Sequence, residues 1–214
     1  MANNNFQNQF RAAAFALGLA AALVISGCRV HVDKDSNGKE KNVQVDTPFG
    51  GVRVNTDQIS ASDLGLPLYP GAQQSRDEDN DKSADVHLGF GDWQLRVKAV
   101  NYTTPDSKEK VTEFYKKALT RFGDVITCNG NSPVGTPTIT REGLTCDENG
   151  KDGMANGKVK FDSHDFNQDF QLKAGSKRHQ HIVGFKDPKD GRTRFALVAI
   201  DLPASIANGD DKQE

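Results

Sequence analysis

Hydrophobic residues follow three different patterns along the 214-residue chain. An unbroken apolar stretch occupies 12–25, and apolar and polar residues alternate at 30–55, at 86–102 and in four candidate strands within 158–202. Alternation is typical of strands that bury one face. Residues 111–122 instead repeat with the 3.6-residue period of an amphipathic helix. The pattern predicts an α+β fold, a mostly antiparallel sheet with one amphipathic helix packed on it.

The helix has the clearest pattern in the chain. Its apolar residues recur at the spacing of a single helix face: Val111, Phe114, Tyr115, Ala118, Leu119 and Phe122. We expect this face to form core, although Phe114 and Tyr115 could alternatively form a ligand platform. Thr104 or Asp106 can cap the start of the helix, and Gly123 suits its end.

Residues 30–55 predict a small β meander. Asn37-Gly38, between two alternating runs, is a strong hairpin signal because both residues tolerate positive φ. Asp33, Asp35 and Asn37 also match the start of a calcium-binding loop, but Gln44 stands where such a loop has Glu. We expect a solvated turn with no metal.

The apolar stretch at 12–25 is too short to span a bilayer, which requires about 20 residues in a helix. It follows a polar segment with one positive charge, Arg11, and ends in Ile25-Ser26-Gly27-Cys28. These four residues resemble the lipobox of bacterial lipoproteins. The resemblance implies that residues 1–27 are a signal peptide, removed after a lipid is attached to Cys28. A short transmembrane anchor and an ordinary secretory signal are the alternatives.

A lipid on Cys28 would hold the rest of the chain outside the cytoplasmic membrane. The residue after the cysteine is Arg29 and not Asp, and in this the sequence resembles lipoproteins destined for the outer membrane. Loss of Arg11 with the signal peptide changes the formal net charge from −2 to −3, a mild acidity that indicates no nucleic-acid partner. The expected partners are the membrane, through the lipid on Cys28, and an envelope protein or polysaccharide.

The two other cysteines, Cys128 and Cys146, form an even pair in a compartment that favours oxidation. We therefore expect a disulfide, which would staple a loop rich in glycine and proline. Two free thiols at a metal or redox site are the alternative, but no CxxC spacing supports it.

A second resemblance covers residues 64–128. It is to a class of uncharacterised secreted bacterial domains that share a short turn motif and a helix with an aromatic pair: Tyr69-Pro70-Gly71-Ala72, Asp106-Ser107, Val111, Phe114-Tyr115, Leu119 and Gly123. The resemblance implies a fold and no reaction. We expect residues 28–60 to form the tether and meander, 61–202 a globular α+β domain, and 203–214 a disordered tail.

Candidate chemistry is limited to two histidines. His179 and His181 are two apart, so on a strand they share a face and could bind zinc or copper. Asp165, next to His164, could add a carboxylate, which gives the alternative of a metal-dependent hydrolase. Because no G-x-S-x-G or H-E-x-x-H motif is present, we expect a binding or structural module without catalysis, cofactor or metal. Lys173, Lys177 and Arg178 predict a small basic patch beside the histidines.

Overall fold

The computed structural model describes residues 28–34, 40–55, 59–75, 83–146 and 170–207 and confirms the predicted α+β class. Within these ranges, eleven strands form one mostly antiparallel sheet in the order β1-β2-β3-β5-β6-β11-β10-β9-β7-β8, and β4 pairs with β6. The strands are β1 Arg29–Lys34, β2 Glu40–Thr47, β3 Gly50–Asn55, β4 Gln73–Gln74, β5 Ser83–Phe90, β6 Trp93–Thr104, β7 Ile126–Asn129, β8 Ser132–Pro133, β9 Phe170–Gly175, β10 His179–Lys189 and β11 Arg192–Asp201.

The predicted meander is confirmed as β1, β2 and β3. It joins the rest of the sheet because β3 pairs with β5, with Val52 opposite Leu88. The predicted Asn37-Gly38 turn lies outside the described residues, as do Asp35 of the calcium alternative and the candidate strand 158–162. The domain boundary predicted at residue 60 stays a prediction.

The helix, α1, covers Lys108–Leu119 and continues as a 3-10 turn, Thr120–Phe122. Its N-cap is Ser107, so the predicted caps Thr104 and Asp106 were wrong. Thr104 is the last residue of β6 and is fully buried, while the Asp106 carboxylate accepts hydrogen bonds from Tyr69 and Lys110. At the other end Gly123 has φ 127°, a conformation that L side chains rarely adopt, and this supports the predicted helix end.

The main core lies between α1, the sheet and the segment 59–72. Val111, Tyr115 and Leu119 are each 0% exposed, whereas Phe114 is only half-buried. The fully buried residues are spaced four apart and form the centre of the apolar face, while Phe114 lies at its margin. The helix therefore packs on the sheet as predicted, but through Tyr115 more than Phe114.

The segment 59–72 is held against the core by tyrosine hydroxyls. The Tyr69 amide donates a hydrogen bond to the Tyr115 hydroxyl at 3.2 Å, and that hydroxyl donates to the Pro67 carbonyl at 3.2 Å. The Ala61 amide donates to the Tyr102 hydroxyl at 3.0 Å. Each contact pairs a buried or partly buried backbone group that would otherwise lose its bond to water. The segment that contains the Tyr-Pro-Gly-Ala motif is thus fixed against the helix and the sheet.

Two further features complete the described chain. After β11, Pro203 is buried and a short helix, α2, covers Ala204–Ala207; residues 208–214 lie outside the described part. No helix among the described residues is both long enough and apolar enough to cross a membrane.

We predict that Tyr115→Phe will lower the free energy of unfolding by about 1–3 kcal/mol, since the buried Tyr69 amide and the partly buried Pro67 carbonyl both lose their partner. Chemical denaturation of the wild-type and variant proteins measures this difference. The matched control is Lys116→Ala, at an exposed position of the same helix, which should change stability by no more than about 0.5 kcal/mol. Equal stability of Tyr115→Phe and wild type would contradict the role of this hydroxyl.

Candidate functional site

The attachment residue predicted from the sequence, Cys28, lies directly before β1. Cys28 is exposed and is the free cysteine among the described residues. Consecutive Cα atoms are about 3.8 Å apart, so no spacer separates Cys28 from the sheet. Residues 25–27 of the lipobox lie outside the described residues, and lipidation stays a prediction.

The predicted disulfide is confirmed between Cys128, on β7, and Cys146, with Cα atoms 5.5 Å apart. Both cysteines are buried and form a second, smaller core with Ile126. The bridge joins two positions 18 apart in the sequence, and the residues between them contain little regular structure apart from the short strand β8. The bonded pair therefore holds the 129–146 loop against the sheet.

The two candidate histidines lie in different environments. The exposed His179 has its Nδ1 atom 2.7 Å from Asp201 Oδ1, because β10 and β11 place these two residues opposite each other. His181 is half-buried, and its ring stacks on Phe122 with centroids 3.6 Å apart and an interplanar angle of 9°. The carboxylate that contacts His179 is thus that of Asp201, which the sequence did not indicate. The predicted Asp165 and its neighbour His164 lie outside the described residues.

The surroundings of His181 favour its neutral form. Burial lowers the pKa of the His181 imidazole, and the nearby Asp201 carboxylate opposes this only in part. Its Nδ1 atom is buried and has no hydrogen-bond partner among the described atoms.

In the described part of the chain, no three His, Cys, Asp or Glu side chains are grouped so that they could hold a metal ion. The hydrolase alternative stays a prediction.

The predicted basic patch was wrong at one position. Lys177 and Arg178 are exposed, but Lys173 is only 1% exposed. Lys173 lies on β9, where it pairs with Ile126 of β7 and Ile182 of β10. Of the three predicted members of the patch, Lys177 and Arg178 in the β9–β10 turn have exposed charges.

A polar row crosses the sheet and was missed by the sequence analysis. The row has one residue from each of seven neighbouring strands, paired successively from β1 to β10: His31, Gln44, Arg53, His87, Arg96, Asp201 and His179. On β6, Arg96 points to the same side as Val100 and Tyr102 of the main core. The polar row is therefore on the helix side of the sheet.

On β1, β2, β3 and β5 the residues next to the polar row, on the opposite face, are aliphatic. Val30, Val43, Val52 and Val86 immediately precede four members of the polar row. In each of these four strands the member of the polar row lies between two aliphatic residues. This repeated pattern predicts the polar row once the register of the strands is known.

The polar row includes both neutralised and available charges. Arg96 forms a two-pronged hydrogen bond to Asp85, with Nε 3.0 Å from Oδ1, and this contact raises the pKa of Arg96. His31 lies 3.3 Å from Asp33. The exposed Arg53, between Gln44 and His87, has no ion-pair partner among the described residues. Arg53 is therefore the cation of this row best placed to meet an external ligand.

Two open grooves flank the end of α1. One, of about 460 Å³, is lined by Ser62, Gly65, Leu66, Pro67, Ala118 and Arg121. The other, of about 420 Å³, is lined by Lys116, Thr120, Gly123, Asp124, Val125 and Arg141. Each groove has one arginine, and both arginines are already bound: Arg121 donates to the Gly65 carbonyl at 3.1 Å and Arg141 to Asp124 at 2.8 Å. Neither groove is lined by a member of the polar row.

No protein-family model matches the chain, and no curated protein or solved structure is significantly similar to it.

We predict that the protein will become less stable as the pH falls through about 6.5, the pKa of an unfolded histidine. Because His181 binds a proton less readily when folded, the unfolded state holds more protons in this range, and protonation favours unfolding. His181→Phe keeps the stacked ring and should reduce the slope of melting temperature against pH. Thermal unfolding over a pH series measures the slope.

The matched control is His31→Gln, which removes an exposed imidazole from β1. A wild-type pH slope in His181→Phe would show that His181 does not cause the effect.

Proposed function

We propose that this protein is a cell-envelope lipoprotein, anchored by lipid on Cys28 outside the cytoplasmic membrane, whose body binds an envelope protein or polysaccharide without catalysing a reaction. The observation that carries the proposal is the position of an exposed cysteine immediately before the first strand of the sheet. A thiol is the side chain that can be thioether-linked to a diacylglycerol, and here it is accessible.

The disulfide supports the same location. Cys128 and Cys146 are joined and buried, and structural disulfides persist mainly in oxidising compartments. Cys28 is free, so the chain has one thiol available for modification after the bridge forms. The two cysteine environments agree with a protein that is exported and then held by a single attachment point.

The binding role rests on the polar row. It provides imidazole, amide and guanidinium donors on neighbouring strands, where backbone pairing fixes their relative positions. Adjacent strands are about 4.8 Å apart, so a ligand with regularly spaced acceptors can contact several donors together. Both an extended polysaccharide and an acidic protein surface have such acceptors.

We expect Cys28→Ser to abolish lipid labelling and leave the signal peptide uncut, because both steps require the thiol. Metabolic labelling with a fatty acid, followed by mass spectrometry of the N-terminus, measures both effects. Cys128→Ala with Cys146→Ala is the matched control and should retain the label. An acyl-free mature protein, or a mature N-terminus other than Cys28, would contradict lipid anchoring.

We expect Arg53→Ser to weaken retention of an envelope fraction on immobilised protein, since it removes the available cation of the polar row. Envelope proteins and polysaccharides are fractionated and applied separately, at low and high salt, to the wild type and the variant. Lys117→Ser, which removes an exposed cation from α1, is the control and should bind as the wild type does. Identical retention by Arg53→Ser would exclude the polar row as the binding surface.

A further inference from the structure

Exposed aromatic side chains collect at one end of the sheet. Along β1, β2, β3, β5 and β6, the paired residues Arg29, Asp46, Gly51, Gly89 and Gln94 form the last complete row. Beyond that row lie Cys28 and the two turns that connect β2 to β3 and β5 to β6. Backbone pairing thus brings the predicted lipid attachment residue and two hairpin tips to the same end.

Both hairpin tips present aromatic residues there. Phe49, in the β2–β3 turn, is 81% exposed and Phe90, at the end of β5, is 49% exposed. Trp93 opens β6 and contacts Phe90, with ring centroids 5.9 Å apart. We call Phe49, Phe90 and Trp93 the aromatic end. Large apolar side chains at such exposure are unusual at the tips of hairpins, where polar turn residues predominate.

The aromatic end is built into the fold. The Thr47 hydroxyl accepts a hydrogen bond from the Phe49 amide at 3.3 Å and donates one to the Gly50 carbonyl at 2.8 Å, which fixes the turn. Gly50 has no side chain, and a Cβ atom there would collide with the Phe90 ring and with the Gly89 carbonyl. The two turns are therefore packed together.

We propose that the aromatic end inserts into the interfacial region of the lipid bilayer and fixes the orientation of the sheet on the membrane; this rests on the proposed lipid anchoring. Because Cys28 directly precedes β1, a lipid on its thiol would bring this end to the bilayer surface. Tryptophan and other aromatic rings favour that interface, where an apolar ring meets lipid and a polar group remains in water.

Charge at this end indicates that insertion is mainly apolar. Arg29 is accompanied by Asp46 and Asp92, so the end has no excess of positive charge with which to attract anionic lipid. The bilayer contact should therefore form on zwitterionic phosphatidylcholine and depend little on salt.

The test uses Trp93, which is the sole tryptophan of the chain. The full protein, as the cell produces it, is reconstituted in phosphatidylcholine vesicles with or without bromine on the lipid acyl chains, which quenches nearby tryptophan. Flotation verifies attachment. We expect brominated vesicles to remove most of the Trp93 emission at low and at high salt, and Phe49→Ser to restore much of it. Ile139→Ser, at a 62% exposed position in the disulfide loop, should behave as wild type.

Mass spectrometry of the same sample tests anchoring separately. If Cys28 has no acyl group, its free thiol is coupled to a maleimide-bearing lipid in the vesicles, and the quenching measurement is repeated. Equal emission in brominated and unbrominated vesicles by attached protein would overturn insertion of the aromatic end. Quenching that Phe49→Ser leaves at the wild-type level would overturn it as well. Neither result depends on whether the cell lipidates Cys28.

Discussion

The side chain of Tyr115 joins the three parts of the main core, which are the helix, the sheet and the segment 59–72. Its hydroxyl accepts a hydrogen bond from the Tyr69 amide and donates one to the Pro67 carbonyl. Its ring packs against Phe195 of β11, with ring centroids 5.6 Å apart. Burial raises the pKa of this phenol, so it remains protonated and able to donate. Tyr115 thus connects the helix, the sheet and the segment 59–72 through one side chain.

The sheet has two very different sides along β1 to β6. Valine and leucine alternate with polar residues there, so one side is apolar and the other contains the polar row. The helix covers only the part of the polar side formed by the later strands, where Leu172, Val183 and Leu197 replace the polar residues. A single sheet therefore combines a packed domain with an open polar surface.

Local patterns were sufficient to predict the fold class, the meander, the helix and the disulfide. Strand periodicity and helix periodicity are properties of short segments, and the cysteine pairing followed from an even count. The polar row required the register of seven strands, which no short segment encodes. The carboxylate beside His179 was missed for the same reason: Asp201 is opposite it only because β10 and β11 pair as they do. The choice of Tyr115 over Phe114 at the centre of the helix face depended on how α1 is rotated against the sheet.

The direct connection between Cys28 and β1 limits how far the protein can reach. A strand extends about 3.3 Å per residue, so β6, with 12 residues, is about 40 Å long. Under the proposed lipid anchoring, the sheet would therefore remain within a thin layer next to the membrane. A partner of the proposed kind would then have to enter that layer before it could bind, so the encounter would take place over the area of the membrane and not through a volume.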